Sequence, residues 1–436
     1  MSQVAKRIGA HLPPKSSLSA IAVCDRQPAH GAEALLPIDV ARQRGLALVT
    51  PVTEVETVQL TDASGRVLGR TVLAETPLPR FDYSAMDGYA VNTFDLERTA
   101  RPRLTVSGRA AAARVVDRPV LGADAAIRIL TGAAIPRGAN AVIAQEDVLR
   151  EGDEIVLSRI PGVGENIRPC GEEAQIGDVL ANAGGLIGPA EMGMMASAGC
   201  AAIMAFRKIR VATFSTGSEL RQPGEQLAPG EIYNSNRFML RGLLDKPWIE
   251  LIDLGACPDD PEALSALLRQ AAWQADFVMT TGGVSVGDED HMVETVRRCG
   301  GTIAVSKIAI KPGKPLTLGT VGEAIYIGLP GNPGAVFTTF KVLVDELLRV
   351  RAGLGPTTTR SIPAIANFSW TGRPGRASYL PAVLEGYNEN AAALINLLPK
   401  SNSGMLRRLG KADGFVIIAA DRETVKPGDL VEWLPL

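Results

Sequence analysis

The chain has 436 residues, too many for one ordinary core and enough for roughly three domains of about 150 residues each. Its 45 lysines and arginines nearly balance 47 aspartates and glutamates, for a net charge of −2, so nothing electrostatic favours nucleic acid or an anionic membrane as a partner. With 46% hydrophobic and 21% charged residues, 45 glycines and 29 prolines, it reads as a globular chain rich in turns, not a fibrous or disordered one.

Residues 1–36 are rich in alanine and proline and show no clear periodicity, so they read as a flexible tail without a signal-peptide core. Mixed helix and strand signals over 37–80 and again over 177–207 suggest one α/β lobe, split by an insertion. The inserted segment, 81–176, carries short β-like runs such as "RLTVSGRA", "AAIRIL" and "NAVIAQEDV", separated by Gly and Pro. It is read as a β-rich lobe.

From Lys208 the pattern alternates between strand-like and helix-like periods. "KIRVATFS" predicts a strand, and "NSNRFMLRGLLD" predicts a helix capped by Ser235 and carrying Phe238, Leu240, Leu243 and Leu244. After the strand "WIELIDLG", Asp260 is placed to cap a helix that Pro261 opens; Leu264, Leu267, Leu268 and Ala271 recur at i, i+3, i+4 and i+7. "DFVMT" is the third strand, and "DHMVETVRRCG" a helix ended by Gly300. The strands "TIAVSKIAI" and "AIYIG" and an amphipathic stretch from Pro333 to Arg351 complete a mostly parallel α/β sandwich over 208–356. Residues 357–436 return to short strands and are expected to close into a small β-barrel. The fold class is therefore multidomain, α/β plus β.

Cys24, Cys170, Cys200, Cys257 and Cys299 are odd in number and never spaced as CxxC. That pattern indicates neither a disulfide framework nor a zinc site, and it fits a reducing cytoplasm. Three histidines, His11, His30 and His291, make a His-rich centre or a Ser-His-Asp triad improbable. No apolar run approaches the roughly 18 residues that a membrane span needs.

Ligands of an open parallel sheet bind beyond the carboxyl ends of its strands, where loops converge. The first strand runs into "STGSEL" with Glu219, the second into "GACPDDP" with Asp259 and Asp260, and the third into "TTGGVSVGDED" with Asp288, Glu289 and Asp290. The last runs into "GLPGNPG". Carboxylates crowded on one edge call for a divalent cation, and hard oxygen ligands select Mg²⁺. "KIAIKPGKP" adds Lys307, Lys311 and Lys314, so cations, glycine backbone and metal-ready acids together suit a phosphate-bearing substrate. Taken singly each has a plainer reading: Asp259 or Asp260 as a helix cap, Gly282 and Gly283 as a tight turn, Glu219 and the lysines as solvated charges. In the inserted lobe, "PLPRFDYSAMDGYAV" reads on its own as a hairpin turn.

Taken together, "FDYSAMDGYAV", "RILTGAAIPRGANAVIAQED", "GENIRPCGEEAQIGD", "FSTGSEL", "IYNSN", "TTGGVSVGDED", "IKPGKP" and "GLPGNPG" resemble, in that order, the molybdopterin molybdenumtransferase family, the MoeA proteins and the matching domain of gephyrin. The resemblance runs from Pro37 to the C-terminus. It implies an elongated homodimer with a β-rich lobe, a split α/β lobe, a central domain like that of the molybdopterin adenylyltransferases, and a C-terminal barrel. The implied reaction takes adenylylated molybdopterin and molybdate, uses Mg²⁺ to cleave the pyrophosphate link, and releases AMP. The active site is then shared between the central domain of one subunit and the β-rich lobe of the other. A molybdopterin adenylyltransferase is the implied delivering partner.

By position, the resemblance marks Asp87, Thr131, Glu173, Glu219 and Asp290 as catalytic, with Glu219, Asp259 and Asp290 toward the metal. It assigns substrate binding to Arg168, Gly282, Gly283, Ser285, Lys307, Lys311, Lys314, Pro330 and Pro333. Two departures stand out. Ser218 occupies the place of an Asp in the usual "STGDEL", and Glu173 that of the Asp in "GED". Both bear on metal affinity or on molybdate versus tungstate preference. They also keep open a non-catalytic molybdopterin-binding scaffold, while an adenylyltransferase is the other alternative.

Overall fold

Strand and helix signals in the central segment build one six-stranded sheet. The computed structural model describes residues 35–96, 102–113, 118–283, 291–356, 361–399 and 406–436. The N-terminal segment read as a tail therefore lies outside the described residues up to position 34, as do Ser285, Asp288, Glu289 and Asp290.

The β-rich lobe is a half-barrel of strands β1 (Gly88–Val91), β2 (Arg103–Ala110), β3 (Ala125–Ile129), β4 (Ala141–Ala144), β5 (Val148–Glu151) and β6 (Glu154–Leu157), in the order β4-β1-β3-β2-β6-β5. Gly88 in β1 is required by packing, because a Cβ there would sit 2.0 Å from the Ile143 carbonyl oxygen. Outside the lobe, Val55–Gln59 pairs antiparallel with Ala202–Phe206, and Val72–Leu73 with Val179–Ala181.

The central sheet contains β7 (Ile209–Thr216), β8 (Ile249–Cys257), β9 (Phe277–Thr281), β10 (Thr302–Val305), β12 (Thr317–Val321) and β13 (Ala324–Leu329); β11 (Ile310–Lys311) leaves it. The order is β8-β7-β9-β13-β12-β10, with parallel pairing among the first four strands and antiparallel pairing of β12 with both β13 and β10. Side chains alternate between two cores. Val211, Phe277, Met279, Ile325 and Ile327 face one, while Ala212, Phe214, Val278 and Tyr326 face the other. Burial on both faces is why these strands read as continuous apolar runs.

Helices α1 (Ser235–Leu244), α2 (Pro261–Gln274) and α3 (His291–Arg298) follow β7, β8 and the turn after β9. In α2, Asp260 accepts from the Ala263 N–H at 2.7 Å and Pro261 opens the helix. Its Leu264, Leu268 and Ala271 are fully buried against the second core, each leucine contributing about 2 kcal/mol. The cap of α1 differs from the sequence reading: Asn234, not Ser235, accepts from the Arg237 N–H. The run from Pro333 comprises α4 (Pro333–Thr339), a π-helical turn over Phe340–Val344 and α5 (Asp345–Arg351).

Two further differences concern the segment before β13. "TIAVSKIAI" is not one strand but splits into β10 and β11, and β12 is a strand the periodicity does not reveal. Gly319 inside β12 has no room for a side chain, since a Cβ would lie 1.9 Å from the Thr302 carbonyl oxygen.

The C-terminal strands β14 (Ile362–Ala366), β15 (Ala377–Tyr387), β16 (Ala393–Leu397), β17 (Gly414–Ile418) and β18 (Leu430–Pro435) form a closed ring, β15 pairing with both β16 and β17. β11 adds to β15 in parallel, with Ile310 opposite Ala377 and Lys311 opposite Ser378. The lysine segment is thus stitched to the barrel.

One buried acid ties distant segments together. Asp276, at the foot of β9, accepts from both terminal nitrogens of Arg207 at 2.8 and 2.9 Å, from Arg351 at 2.7 Å and from the Arg210 N–H at 2.7 Å. Arg351 also donates to the Thr50 carbonyl. Burial works to raise the Asp276 carboxyl, but these bonds outweigh it and hold the group well below the usual carboxylate range.

Candidate active site

The parallel register brings four strand ends side by side: Thr216 lies opposite Cys257, Ser215 opposite Thr281, and Thr281 opposite Leu329. The turns that follow therefore share one edge. Ser218 donates its N–H to Asp259 Oδ2 at 3.0 Å, its hydroxyl lying 3.4 Å from the same oxygen, so the first two turns touch. Glu219 is exposed and folds back over Gly217, where a Cβ would be 2.5 Å from its carboxylate. Asp260 is used as the α2 cap. Among the described residues no group of three or more His, Cys, Asp or Glu gathers as a metal site.

Gly282 and Gly283 adopt φ of +90° and +65°, the left-handed region that glycine enters without strain. A Cβ on Gly282 would fall 2.5 Å from the Thr216 carbonyl oxygen, and one on Gly283 3.0 Å from the Thr216 hydroxyl. These glycines form the tight turn that is their plainer sequence reading, and they also admit the backbone to Thr216.

Lys311 and Lys314 enter a cavity of about 580 Å³ between the rim and the barrel, joined by Arg376 and Arg408. Pro312, Pro315, Pro330, Leu380 and Leu409 give it an apolar wall. Tyr379 also lines it, and burial pushes its phenol up to about 12, which keeps the hydroxyl neutral near pH 7. Four cations around an apolar slot suit a flat ring system carrying anionic groups. Pro333 opens α4 beside this cavity, and Lys307 lies on the same lysine segment, its carbonyl accepting from the Leu36 N–H at 3.1 Å.

A second cluster lies on the half-barrel. Because Gly88 pairs with Ile129, the residues just outside the two strands meet, and Thr131 donates its N–H and its hydroxyl to Asp87 Oδ1. Those two bonds hold the Asp87 carboxyl below its ordinary value. Arg128 donates to the Gly88 carbonyl at 2.8 Å and to Gln145 Oε1 at 2.6 Å, with its guanidinium 5.2 Å from the Tyr89 ring centroid. Arg168 pairs with Glu172 at 3.1 Å, both exposed, and Glu173 is exposed with its N–H donating to the Leu78 carbonyl.

The structure thus brings together the Ser218 and Asp259 turns, Lys311 with Lys314 and Pro330, and Asp87 with Thr131. The first two groups share the central rim, and the third sits on a different sheet. Arg128, Gln145, Arg376, Tyr379 and Arg408 were not singled out from the sequence. Arg128 and Gln145 do lie inside the motif "RILTGAAIPRGANAVIAQED", where the sequence reading assigns them no role.

The MoeA N-terminal region (domain I and II) matches residues 36–199, a "Probable molybdopterin binding domain" matches 212–350, and the MoeA C-terminal region (domain IV) matches 363–436. A molybdopterin molybdenumtransferase of Haemophilus influenzae is 34% identical over 403 residues, covering 92% of this chain and 98% of that protein. The chain belongs to the molybdopterin molybdenumtransferase family. Molybdopterin molybdenumtransferase 2 of Mycobacterium tuberculosis is likewise 34% identical, over 85% of this chain and 93% of its own length. The crystal structure of the molybdopterin biosynthesis MoeA protein from Pyrococcus horikoshii superposes with a TM-score of 0.78 at 30% identity, covering 92% of this chain and all of that one. The fold is that of the MoeA proteins, and membership of this transferase family places the chain in molybdenum cofactor biosynthesis. No helix among the described residues is long and apolar enough to cross a membrane.

Proposed function

We propose that the chain inserts molybdenum from molybdate into adenylylated molybdopterin, with Mg²⁺, and releases AMP. The observation that carries this reading is the cavity: Lys311, Lys314, Arg376 and Arg408 surround an apolar slot beside the strand-end rim. Its prolines and Leu380 take the flat pterin, the cations take phosphate or molybdate oxygens, and the neutral Tyr379 hydroxyl donates without adding charge. Arg168 of the β-rich lobe is read as a further oxyanion contact.

The donor set at the rim fits a hard divalent cation. Glu219 is exposed and Asp259 is oriented by the Ser218 N–H, so both offer carboxylate oxygen of the kind Mg²⁺ takes; Asp290 is the proposed third. When bound, Mg²⁺ would neutralise phosphate charge while the phosphoanhydride breaks, water supplying the new oxygen and AMP leaving with the other. The protein's own part is electrostatic and positional rather than nucleophilic. Asp87, kept ionised by Thr131, and Glu173 are the acids contributed by the β-rich lobe. As the family resemblance implies, the reading pairs the rim of one subunit, with Glu219, with the half-barrel of a second, with Asp87, in a homodimer.

We place the protein in the cytoplasm, in keeping with Cys170, Cys200, Cys257 and Cys299 all being free, and take a molybdopterin adenylyltransferase as the supplier of substrate. The division into lobes at 37–80 with 177–207, 81–176, 208–356 and 357–436 is part of the same reading. Purified protein incubated with adenylylated molybdopterin, molybdate and Mg²⁺ tests it. Release of AMP that depends on molybdate is the expected result. Consumption of ATP would indicate an adenylyltransferase, and binding without turnover a scaffold.

A further inference from the structure

The triplet Asn234–Ser235–Asn236 has no part in the chemistry described so far, yet it touches both glycine turns of the rim. Asn234 caps α1, and its Oδ1 also accepts from the Ser215 hydroxyl at 3.2 Å; Ser215 in turn accepts from the Thr281 hydroxyl at 3.0 Å. The chain of bonds thus runs from Asn234 to the residue preceding Gly282. Two residues on, Asn236 donates its Nδ2 to the Gly331 carbonyl at 2.7 Å. The two turns are themselves in contact, since a Cβ on Gly331 would lie 3.8 Å from the Gly282 Cα.

Both asparagines are more than nine-tenths buried, with 2% and 8% of their surface exposed. Each uses only half of its amide. Asn234 Nδ2 and Asn236 Oδ1 have no hydrogen-bond partner, and the neighbouring Thr216 hydroxyl and Asn332 Oδ1 are in the same condition. Buried polar atoms left unpaired are a net cost to folding, and an apolar residue at either position would avoid it. A device serving stability alone would not concentrate four such atoms around two turns. What the half-used amides do achieve is a fixed direction for each turn: donors and acceptors are non-interchangeable here, because the Arg237 N–H sets the orientation of Asn234 and the Gly331 carbonyl sets that of Asn236.

We propose that Asn234 and Asn236 are positioning residues that hold the Gly282 and Gly331 turns in the register the ligand requires. Asn236 acts through Gly331 on Pro330 and Asn332, which line the cavity; Asn234 acts through Ser215 and Thr281. The inference rests on the proposed function, since it takes the ligand to be one that occupies that cavity.

An Asn→Asp exchange separates the two positions. Asn234→Asp keeps the accepting oxygen and should retain affinity, whereas Asn236→Asp replaces the donor facing Gly331 by an acceptor. Calorimetric titration of the full chain with molybdate and with AMP should show Asn236→Asp binding about tenfold more weakly, the size expected for one lost hydrogen bond. Asn234→Asp should stay within about threefold of the unmodified chain, while Asn234→Ala falls with Asn236→Asp. In turnover the Asn236→Asp defect should fall on KM more than on kcat, and hydrogen exchange of the unliganded protein should quicken at the Gly331 and Asn332 amides. Unchanged affinity together with unchanged exchange in a folded Asn236→Asp protein would overturn the proposal. Should that variant not fold, Asn236→Ala, which removes the donor without adding a charge, carries the same comparison. If the unmodified chain binds neither molybdate nor AMP, the functional reading fails, and the exchange data alone decide whether Asn236 holds its turn.

Discussion

Thr131 donates its backbone N–H and its hydroxyl to a single oxygen of Asp87, each at 2.8 Å. Two donors on one oxygen stabilise the ionised carboxyl and leave its second oxygen directed elsewhere. Replacing Thr131 by Val removes the hydroxyl and keeps the N–H, so the Asp87 carboxyl should rise from its depressed value. The acid limb of the kcat/KM profile should then move to higher pH, measured with AMP release as the signal. Asp87→Ala should lower kcat/KM by about a hundredfold or more while barely moving the melting temperature, since a solvent-facing acid contributes little to the core. A large fall in melting temperature would instead assign Asp87 a structural role.

Asp276 holds two arginines in a buried site, and removing it strands both. Asp276→Ala should destabilise the chain by about 3–5 kcal/mol, read from urea unfolding at pH 7. The sign of the pH effect follows from the depressed carboxyl. Its contribution is complete above the unfolded-state value of about 3.9 and is lost as pH falls toward the lower folded-state value. The unmodified chain should therefore lose stability below about pH 4, and an Asp276→Asn chain should show a shallower loss over that window.

Arg376 reaches the cavity from the barrel. Arg376→Ala should weaken binding of AMP and molybdate by about tenfold, and the deficit should shrink as ionic strength rises because screening weakens the lost attraction. Titrations at two salt concentrations check both parts. Equal affinity at low salt would remove Arg376 from the site.

Ser218 stands against Asp259, its N–H donating to Oδ2, at the position where the family resemblance implies an aspartate. Ser218→Asp would place a second negative charge near Asp259 Oδ2. Without a cation the pair repels, and with one it becomes a stronger ligand set. The Mg²⁺ concentration for half-maximal AMP release should fall, and the melting temperature should become more sensitive to Mg²⁺ than in the unmodified chain. An unaltered Mg²⁺ dependence would detach Ser218 and Asp259 from the metal.

Features written in a local period were legible in the sequence. Leu264, Leu268 and Ala271 announce α2 at helical spacing, Asp260 and Pro261 mark its start, and the β-branched runs of β7, β9 and β13 place the strand ends on one edge. Pairings with no period behind them were not. β12 contains Gly319 for reasons of cross-strand contact with Thr302 and so lacks a strand-like texture, and β11 joins the barrel through residues 67 positions away, Lys311 facing Ser378. Arg376 and Tyr379 meet Lys314 only because of that long-range pairing. The cap of α1 was ambiguous for a simpler reason: Asn234 and Ser235 are adjacent, and both are good capping residues.

The parallel pairing of Ile310–Lys311 with the barrel makes the C-terminal eighty or so residues more than an appendage. Since one jaw of the slot is hydrogen-bonded to the ring that carries the other, a swing of that ring cannot leave its basic groups behind: Lys311 travels with Arg376, and the positive field closes or withdraws as a piece. Admission and release of a charged guest would then be governed by how the ring is hinged, at a distance from any atom that breaks a bond.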